Sequence, residues 1–213
     1  MHLARRLAAF QQADLYVVIT EAFCAGRTSL EVLDQVLAAG VSIVQLREKD
    51  LEDRGLYELA LAYRRRTAAA GALLIIDDRL DIALAAGADG VHLGQTDLPV
   101  AAARRLAPDL LIGASTHSLK EALTAQEAGA SYVNIGPIFP TATKPDAVLL
   151  GVEAIPRIVP HLRIPWTTMG GINQGNIAQV VAQGARHPAV MSAVTAAADV
   201  TAAARALREA IIS

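Results

Sequence analysis

The chain has 213 residues, 53% of them hydrophobic, and a formal charge of −2 at neutral pH. That length and apolar content suit one well-buried domain, and the near-neutral charge gives no electrostatic reason to expect nucleic acid or an anionic membrane as partner. One cysteine, Cys24, excludes an intrachain disulfide framework and a cysteine-built zinc site.

A lone reduced thiol suits the cytoplasm. The opening MHLARRLAAFQQ carries two arginines but no long apolar core before a cleavage site, so no signal peptide is expected. No run approaches the roughly 20 apolar residues that a membrane helix needs. The sequence leaves a homo-oligomer open.

Residues 1–13 read as an extra amphipathic helix. One phrase then repeats: apolar strand, polar turn, alanine-rich helix, glycine, next strand. Strands are expected near 15–20, 42–46, 72–76, 89–93, 110–114, 130–135, 165–169 and 188–192. Helices are expected near 28–39, 53–70, 79–86, 99–107, 118–128, 151–160, 174–183 and 199–211. The Ala-Gly and Gln-Gly spacers at 39–41, 70–72, 86–88, 128–130 and 183–185 are helix stops that feed the following strand. Eight alternations without a break in composition predict an α/β fold, a single-domain (β/α)8 barrel over 1–213 with an extra N-terminal helix. A doubly wound sheet is the competing architecture, but its glycine-rich dinucleotide fingerprint follows no strand here.

In such barrels the chemistry sits on the loops after the strand C-termini. Gln45-Leu46-Arg47-Glu48-Lys49-Asp50 closes the second strand, and alternation puts Gln45, Arg47 and Lys49 on one side. A planar guanidinium fork beside an ammonium suits a multi-oxygen anion such as a pyrophosphate. The bland alternative is a solvated loop whose cations pair with Glu48, Asp50, Glu52 or Asp53.

The stretch ALLIIDDRLDIALAAGADGVHLGQTDLP, 72–99, reads as strand, turn, helix, turn, strand, turn. So short a crossover implies adjacent parallel strands, whose C-terminal ends bring Asp78 and Asp97 to one mouth. Two carboxylates there suit Mg²⁺, which completes its shell with water and substrate phosphate. The competing reading makes each aspartate the N-cap of the helix that follows.

After the fifth strand, Ser115 can address a polar ligand edge, Ser118 suits an N-cap, and His117 either exchanges a proton or simply hydrogen-bonds beside the turn. The longest loop, from Gly136 to Gly151, carries Thr141, Thr143 and Lys144 among prolines. Those are donors for a phosphorylated ligand, and loops of this length are more often functional than idle. Gly170-Gly171 after the seventh strand and Met191-Ser192 after the eighth offer the backbone N–H groups with which barrels often hold phosphate. A plain tight turn is the alternative.

Taken together, QLREK at 45–49, DDR…DGVHLGQTDLP at 77–99, GAS at 113–115, GPIFPTATK at 136–144, GGI at 170–172 and MSA at 191–193 resemble the thiamine phosphate synthase family. VHLGQTDLP and GPIFPTATK are the specific segments. The resemblance implies a transferase that joins 4-amino-2-methyl-5-hydroxymethylpyrimidine diphosphate to hydroxyethylthiazole phosphate, giving thiamine phosphate and pyrophosphate with Mg²⁺. It implies that Gln45, Leu46, Arg47, Glu48, Lys49, Asp77, Ser115 and Lys144 hold the pyrimidine diphosphate. Thr141, Ala142, Thr143, Gly171, Met191 and Ser192 would hold the thiazole phosphate, and Asp78 and Asp97 the Mg²⁺. Arg47, Lys49 and Lys144 are the catalytic cations in that pattern.

Two places depart from it. Position 77 is Asp where the family usually has Asn, and is expected to be a tolerated change. Gly184-Ala185-Arg186-His187-Pro188 replaces the usual Gly-Ala-Asp-Gly, and Pro188, which cannot donate to a ladder, is expected to delay or distort strand eight. The alternatives are a related thiazole tautomerase using a histidine near 117 and a non-catalytic phosphate-ligand sensor on the same fold.

Overall fold

The computed structural model describes residues 2–141 and 148–212. Eight parallel strands form one sheet in the order 7-6-5-4-3-2-1-8. They are β1 (Tyr16–Ile19), β2 (Ile43–Leu46), β3 (Leu73–Asp77), β4 (Gly90–Leu93), β5 (Leu111–Thr116), β6 (Tyr132–Ile135), β7 (Trp166–Thr168) and β8 (Ala189–Val190). A single bridge, Thr168 to Pro188, joins β7 to the chain entering β8 and brings the ring nearly to closure. The expected barrel is present, as is its N-terminal helix.

The helices are α1 (Leu3–Gln12), α2 (Ser29–Ala38), α3 (Asp53–Ala70), α4 (Leu80–Ala85), α5 (Val100–Leu106), α6 (Leu119–Glu127), α7 (Ala154–Ile158), α8 (Ile177–Val181), α9 (Ser192–Thr195) and α10 (Val200–Ile212). Local chemistry sets their ends. Thr28 and Glu31 form a reciprocal capping box at the start of α2, and Gly71 ends α3 in the left-handed conformation. Ser118 caps α6 as expected, accepting from the Glu121 N–H.

Three elements are shorter than the sequence pattern suggests. Helix α7 gives way to a 3₁₀ turn at Val159–His161, where Pro160 withholds a backbone donor. The start of α8 is delayed because the side chains of Asn173 and Asn176 fold the preceding residues into a local turn, accepting from the N–H groups of Gly175 and Asn173. Strand β8 begins only after Pro188, whose carbonyl nevertheless accepts from Tyr16 N–H at 3.1 Å.

Two apolar layers follow from the period-two alternation of each strand. Outward residues such as Val17, Val44, Leu74, Ile76, Val91, Ile112 and Val133 pack against the helices. Inward residues at the bottom of the barrel, Tyr16, Ile43, Leu73, Ile75, Leu111, Tyr132 and Ala189, form a second cluster sealed by Phe10 of α1. Phe10 is fully buried and stacks on Tyr132 with ring centroids 4.5 Å apart. Burial of a side chain of this kind stabilises by about 1.5–3 kcal/mol. The extra helix is therefore a plug for the barrel floor.

Asp89 is a buried hub beneath the sheet. It accepts from Arg64 at 2.5 Å, from Arg6 of α1 at 3.4 Å and from Leu74 N–H at 3.1 Å.

His187, in the segment that departs from the family pattern, ties α1 to the barrel. Its Nδ1 donates to the carbonyl of Ala13 at 2.7 Å, and its ring lies against Phe10. Burial holds its pKa below the ordinary histidine value. Because the folded pKa is depressed, the unfolded chain binds the proton first, so stability is complete above the unfolded pKa of about 6.5 and falls as pH drops below it. Denaturant unfolding at pH 7.5 and 5.5 is expected to show this loss in the wild type. His187→Gln, which keeps a donor but does not titrate, is expected to show a smaller loss.

Candidate active site

The strand C-termini open into a cavity of about 710 Å³. Alternation carries the same inward column that is apolar at the floor up to polar residues at the rim: Gln45 on β2, Asp77 on β3, His92 on β4, Ser115 on β5 and Asn134 on β6 all line it. Arg47, Lys49, Asp78, Asp97, Thr141, Gly171, Met191 and Ser192 complete the wall from the loops.

Of the residues implied to hold the pyrimidine diphosphate, Leu46 and Glu48 do not reach the cavity with their side chains. They fall on the opposite face: Leu46 is in the outer core, and the Glu48 carboxylate accepts the Glu21 N–H at 2.7 Å. Ala142, Thr143 and Lys144 lie outside the described residues.

The cations and carboxylates interlock. Lys49 Nζ lies 2.8 Å from Asp77 Oδ2 and also contacts Asp78, while Arg47 Nε lies 3.5 Å from Asp77. The cations thus pair with the two aspartates that end β3, and not with Glu48, Asp50, Glu52 or Asp53 as a solvated loop would have it. Asp53 binds Arg79 instead, at 2.6 Å. Burial alone pulls Lys49 toward the neutral amine, but Asp77 and Asp78 reverse this and leave its pKa raised. Burial raises Asp77, only partly offset by Lys49, and its Oδ2 has a charge contact but no well-directed hydrogen bond.

Asp78 is one of two non-glycine residues with positive φ among those described, at +58°. Aspartate tolerates this left-handed turn better than most residues, and the Asp78 N–H is held by the His92 carbonyl at 2.8 Å. Neither Asp78 nor Asp97 is a helix N-cap. Helix α4 starts after Arg79 and α5 after Pro99, neither with a side-chain cap. Asp97 instead accepts Gly94 N–H at 2.6 Å within its own turn. The two carboxylates face each other: burial and Asp78 raise Asp97, while hydrogen bonds from Lys49 and Asp97 outweigh burial and lower Asp78. Two carboxylates pressed together in this way repel each other, and a divalent cation between them would relieve that repulsion.

His117 donates from Nδ1 to the Gly136 carbonyl at 2.6 Å, and its backbone N–H donates to Glu121. That is the turn-bracing role. Gly170 and Gly171, at φ of +103° and +62°, turn the chain under the long loop, where a side chain at Gly171 would strike Phe139 and the carbonyl of Pro140. The carbonyl of Gly171 accepts from the side chains of Asn173 and Asn176 at 3.0 and 2.9 Å.

Sequence reasoning missed His92, Gln95, Thr96 and Asn134 in the wall. The signal for His92 and Asn134 was a polar residue interrupting a buried strand. Cys24 is buried, bonds the Thr20 carbonyl, and has its thiol pushed up to about 11 by burial, which fits an inert side chain.

A nearly closed parallel barrel with a cation-bearing, carboxylate-rimmed cavity at its C-terminal face has the layout of a barrel enzyme that acts on small molecules. The comparisons with known proteins narrow this. The family model described as thiamine monophosphate synthase matches residues 15–194. The thiamine-phosphate synthase of Chloroflexus aurantiacus is 50% identical over 195 residues, 91% of this chain and 90% of that protein. The thiamine-phosphate synthase of Moorella thermoacetica is 48% identical over 202 residues, 94% of this chain and 96% of that protein. The solved thiamine phosphate pyrophosphorylase of Pyrococcus furiosus superposes with a TM-score of 0.88 at 39% identity, covering 94% of this chain and 96% of that one. The chain belongs to the thiamine monophosphate synthase family.

Asp77 is largely buried and its charge is already met by Lys49 at 2.8 Å and Arg47 at 3.5 Å. Asp77→Asn is therefore expected to leave kcat/KM within about threefold, as measured by steady-state kinetics in both substrates. A tenfold rise would mean that the carboxylate competes with the substrate for Arg47 and Lys49.

Proposed function

We infer that this chain makes thiamine phosphate by coupling the pyrimidine diphosphate to the thiazole phosphate. Family membership along nearly the whole chain supports this, and the observation that carries it is the convergence of Arg47 and Lys49 with Asp78 and Asp97 on one cavity. No finding favours the tautomerase or the sensor.

The reaction needs little covalent help from the protein. The bond between the pyrimidine methylene carbon and the diphosphate oxygen breaks, and pyrophosphate leaves with the electron pair. The aminopyrimidine ring delocalises the positive charge left on carbon. The thiazole nitrogen then donates its lone pair to that carbon, and the charge ends on the thiazolium. No proton is transferred in the bond-forming step.

Arg47 and Lys49 stabilise charge as it grows on the leaving group, which is electrostatic catalysis by preplaced donors. Lys144, from the long loop, is assigned to the same task. Asp78 and Asp97 would hold Mg²⁺, which when bound supplies Lewis-acid stabilisation of the diphosphate oxygens. Two carboxylates with room for water and phosphate oxygens are the donor set such a cation takes. Gln45 and Ser115 orient the pyrimidine ring. Thr141, Gly171, Met191 and Ser192, with Ala142 and Thr143, hold the thiazole phosphate so that its nitrogen faces the methylene carbon. Positioning of this kind replaces a protein nucleophile.

Pyrophosphate release from purified protein is expected to require both substrates and Mg²⁺ and to stop with EDTA, with thiamine phosphate identified by mass. Asp97→Ala is expected to lower kcat at least a hundredfold, while thiazole phosphate binding persists. Release from the pyrimidine diphosphate alone, or full activity in EDTA, would defeat the reading. His117→Asn, at a residue that lines the cavity but bonds a loop carbonyl and its own turn, is expected to retain coupling within about tenfold, because no proton carrier is needed.

A further inference from the structure

Inside the barrel, between its apolar floor and its polar rim, five side chains form one continuous hydrogen-bonded chain. Gln45 Nε2 donates to Tyr16 Oη at 2.7 Å, Tyr16 Oη meets Tyr132 Oη at 3.1 Å, Tyr132 Oη meets His92 Nδ1 at 3.0 Å, and His92 Nε2 meets Ser115 Oγ at 2.9 Å. Gly113 makes this possible, since a methyl group there would collide with the rings of both Tyr132 and His92. Burial pushes both phenols well above their ordinary pKa, so each keeps its single proton.

One proton per link gives the chain a direction. With Gln45 donating to Tyr16, Tyr16 donates to Tyr132 and Tyr132 to Nδ1 of His92. His92 then carries its proton on Nε2 and donates to Ser115 Oγ. The Ser115 hydroxyl proton is left over, free to point into the cavity. Ser115 is thereby set as a donor to ligand.

Beside it stands Asn134. Ser115 and Asn134 are register partners on β5 and β6, strands that lie about 4.8 Å apart in such a ladder, and both line the cavity. Asn134 is only 3% exposed, yet its Oδ1 is buried without a hydrogen-bond partner. An unpaired buried carbonyl is costly unless something arrives to pair it. The wall thus presents the Ser115 donor, with the unpaired Asn134 acceptor just behind the cavity surface.

We propose that Asn134 and Ser115 together read one edge of the pyrimidine ring, the Asn134 amide turning so that Oδ1 accepts from the 4-amino group and Ser115 donating to the adjacent ring nitrogen. Tyr16, Tyr132 and His92 are positioning residues that fix the polarity of Ser115. This rests on the placement of the pyrimidine ring over Gln45 and Ser115, and adds to it a specificity residue and the buried chain behind it. A ring bearing a 4-oxo group and a ring N–H would meet two wrong partners, acceptor on acceptor and donor on donor.

The test is calorimetric binding to the full chain with Mg²⁺ and without thiazole phosphate, using the pyrimidine diphosphate and its counterpart with hydrogen in place of the 4-amino group. The wild type is expected to prefer the amino compound about tenfold or more, since an orphaned acceptor is satisfied by it alone. Asn134→Ala is expected to bind the two alike, with thiazole phosphate binding unchanged as the check on folding. Asn134→Leu, which keeps the side-chain volume and has no acceptor, carries the same expectation if the alanine variant does not fold. A preference that survives both substitutions, or an equal weakening of both ligands, overturns the assignment. Gln45→Ala separates this from failure of the ring placement. If it weakens both ligands while Asn134→Ala is silent, the Asn134 assignment alone falls; if neither ligand responds to it, the placement falls and the proposal with it. In the amino-ligand complex, the ¹⁵N signals of His92 are expected to report the Nε2–H tautomer and to shift away from it in Tyr132→Phe, with severalfold weaker binding. An unchanged tautomer in that variant would remove the buried chain from the account.

Discussion

The hydrogen bond between Tyr16 and Tyr132 marks the level at which the interior of this barrel changes character. Below it the inward side chains are Ile43, Leu73, Leu111 and the stacked ring of Phe10; above it they are Gln45, Asp77, His92, Ser115 and Asn134. A phenol suits that boundary, because its ring packs like a hydrocarbon while its hydroxyl needs a partner. Two phenols from opposite parts of the ring satisfy each other and pass the remaining hydrogen-bonding capacity upward. The floor can therefore be close-packed while the rim stays wet and reactive.

The rim divides its labour by charge. On the β2–β3 side, Arg47 and Lys49 face Asp77 and Asp78, so that the cations are held in place by carboxylates before any diphosphate arrives. The left-handed turn at Asp78 places one carboxylate opposite Asp97, and a divalent cation held there would relieve their mutual repulsion. On the β5–β6 side the strand residues Ser115 and Asn134 contribute directed dipoles in place of charge. A substrate with a charged diphosphate at one end and a neutral heterocycle at the other matches that division.

The departure at Arg186-His187-Pro188 is structural in its consequences. Pro188 shortens β8 to two residues, yet its carbonyl still serves Tyr16 N–H, and His187 secures the end of α1. The ring stays nearly closed, and Met191 and Ser192 still reach the cavity wall. Asp77, the other departure, lies 2.8 Å from Lys49 Nζ.

The alternation of apolar runs with alanine-rich, glycine-stopped segments determined the eight strands and helices, because that periodicity is local and each crossover is too short for anything but parallel neighbours. The rule that strand C-termini share one face places Gln45, Arg47, Lys49, Asp78, Asp97 and Ser115 together from the sequence alone. Tertiary structure alone decided the rest. Local sequence does not say that Phe10 plugs the floor, that Asp89 is a buried hub, or that Leu46 and Glu48 turn away from the cavity. Nor does it pair Tyr16 with Tyr132 or set Asn134 beside Ser115. Those contacts join residues tens of positions apart, and they exist only once the ring has closed and fixed which strands are neighbours and which side chains point inward.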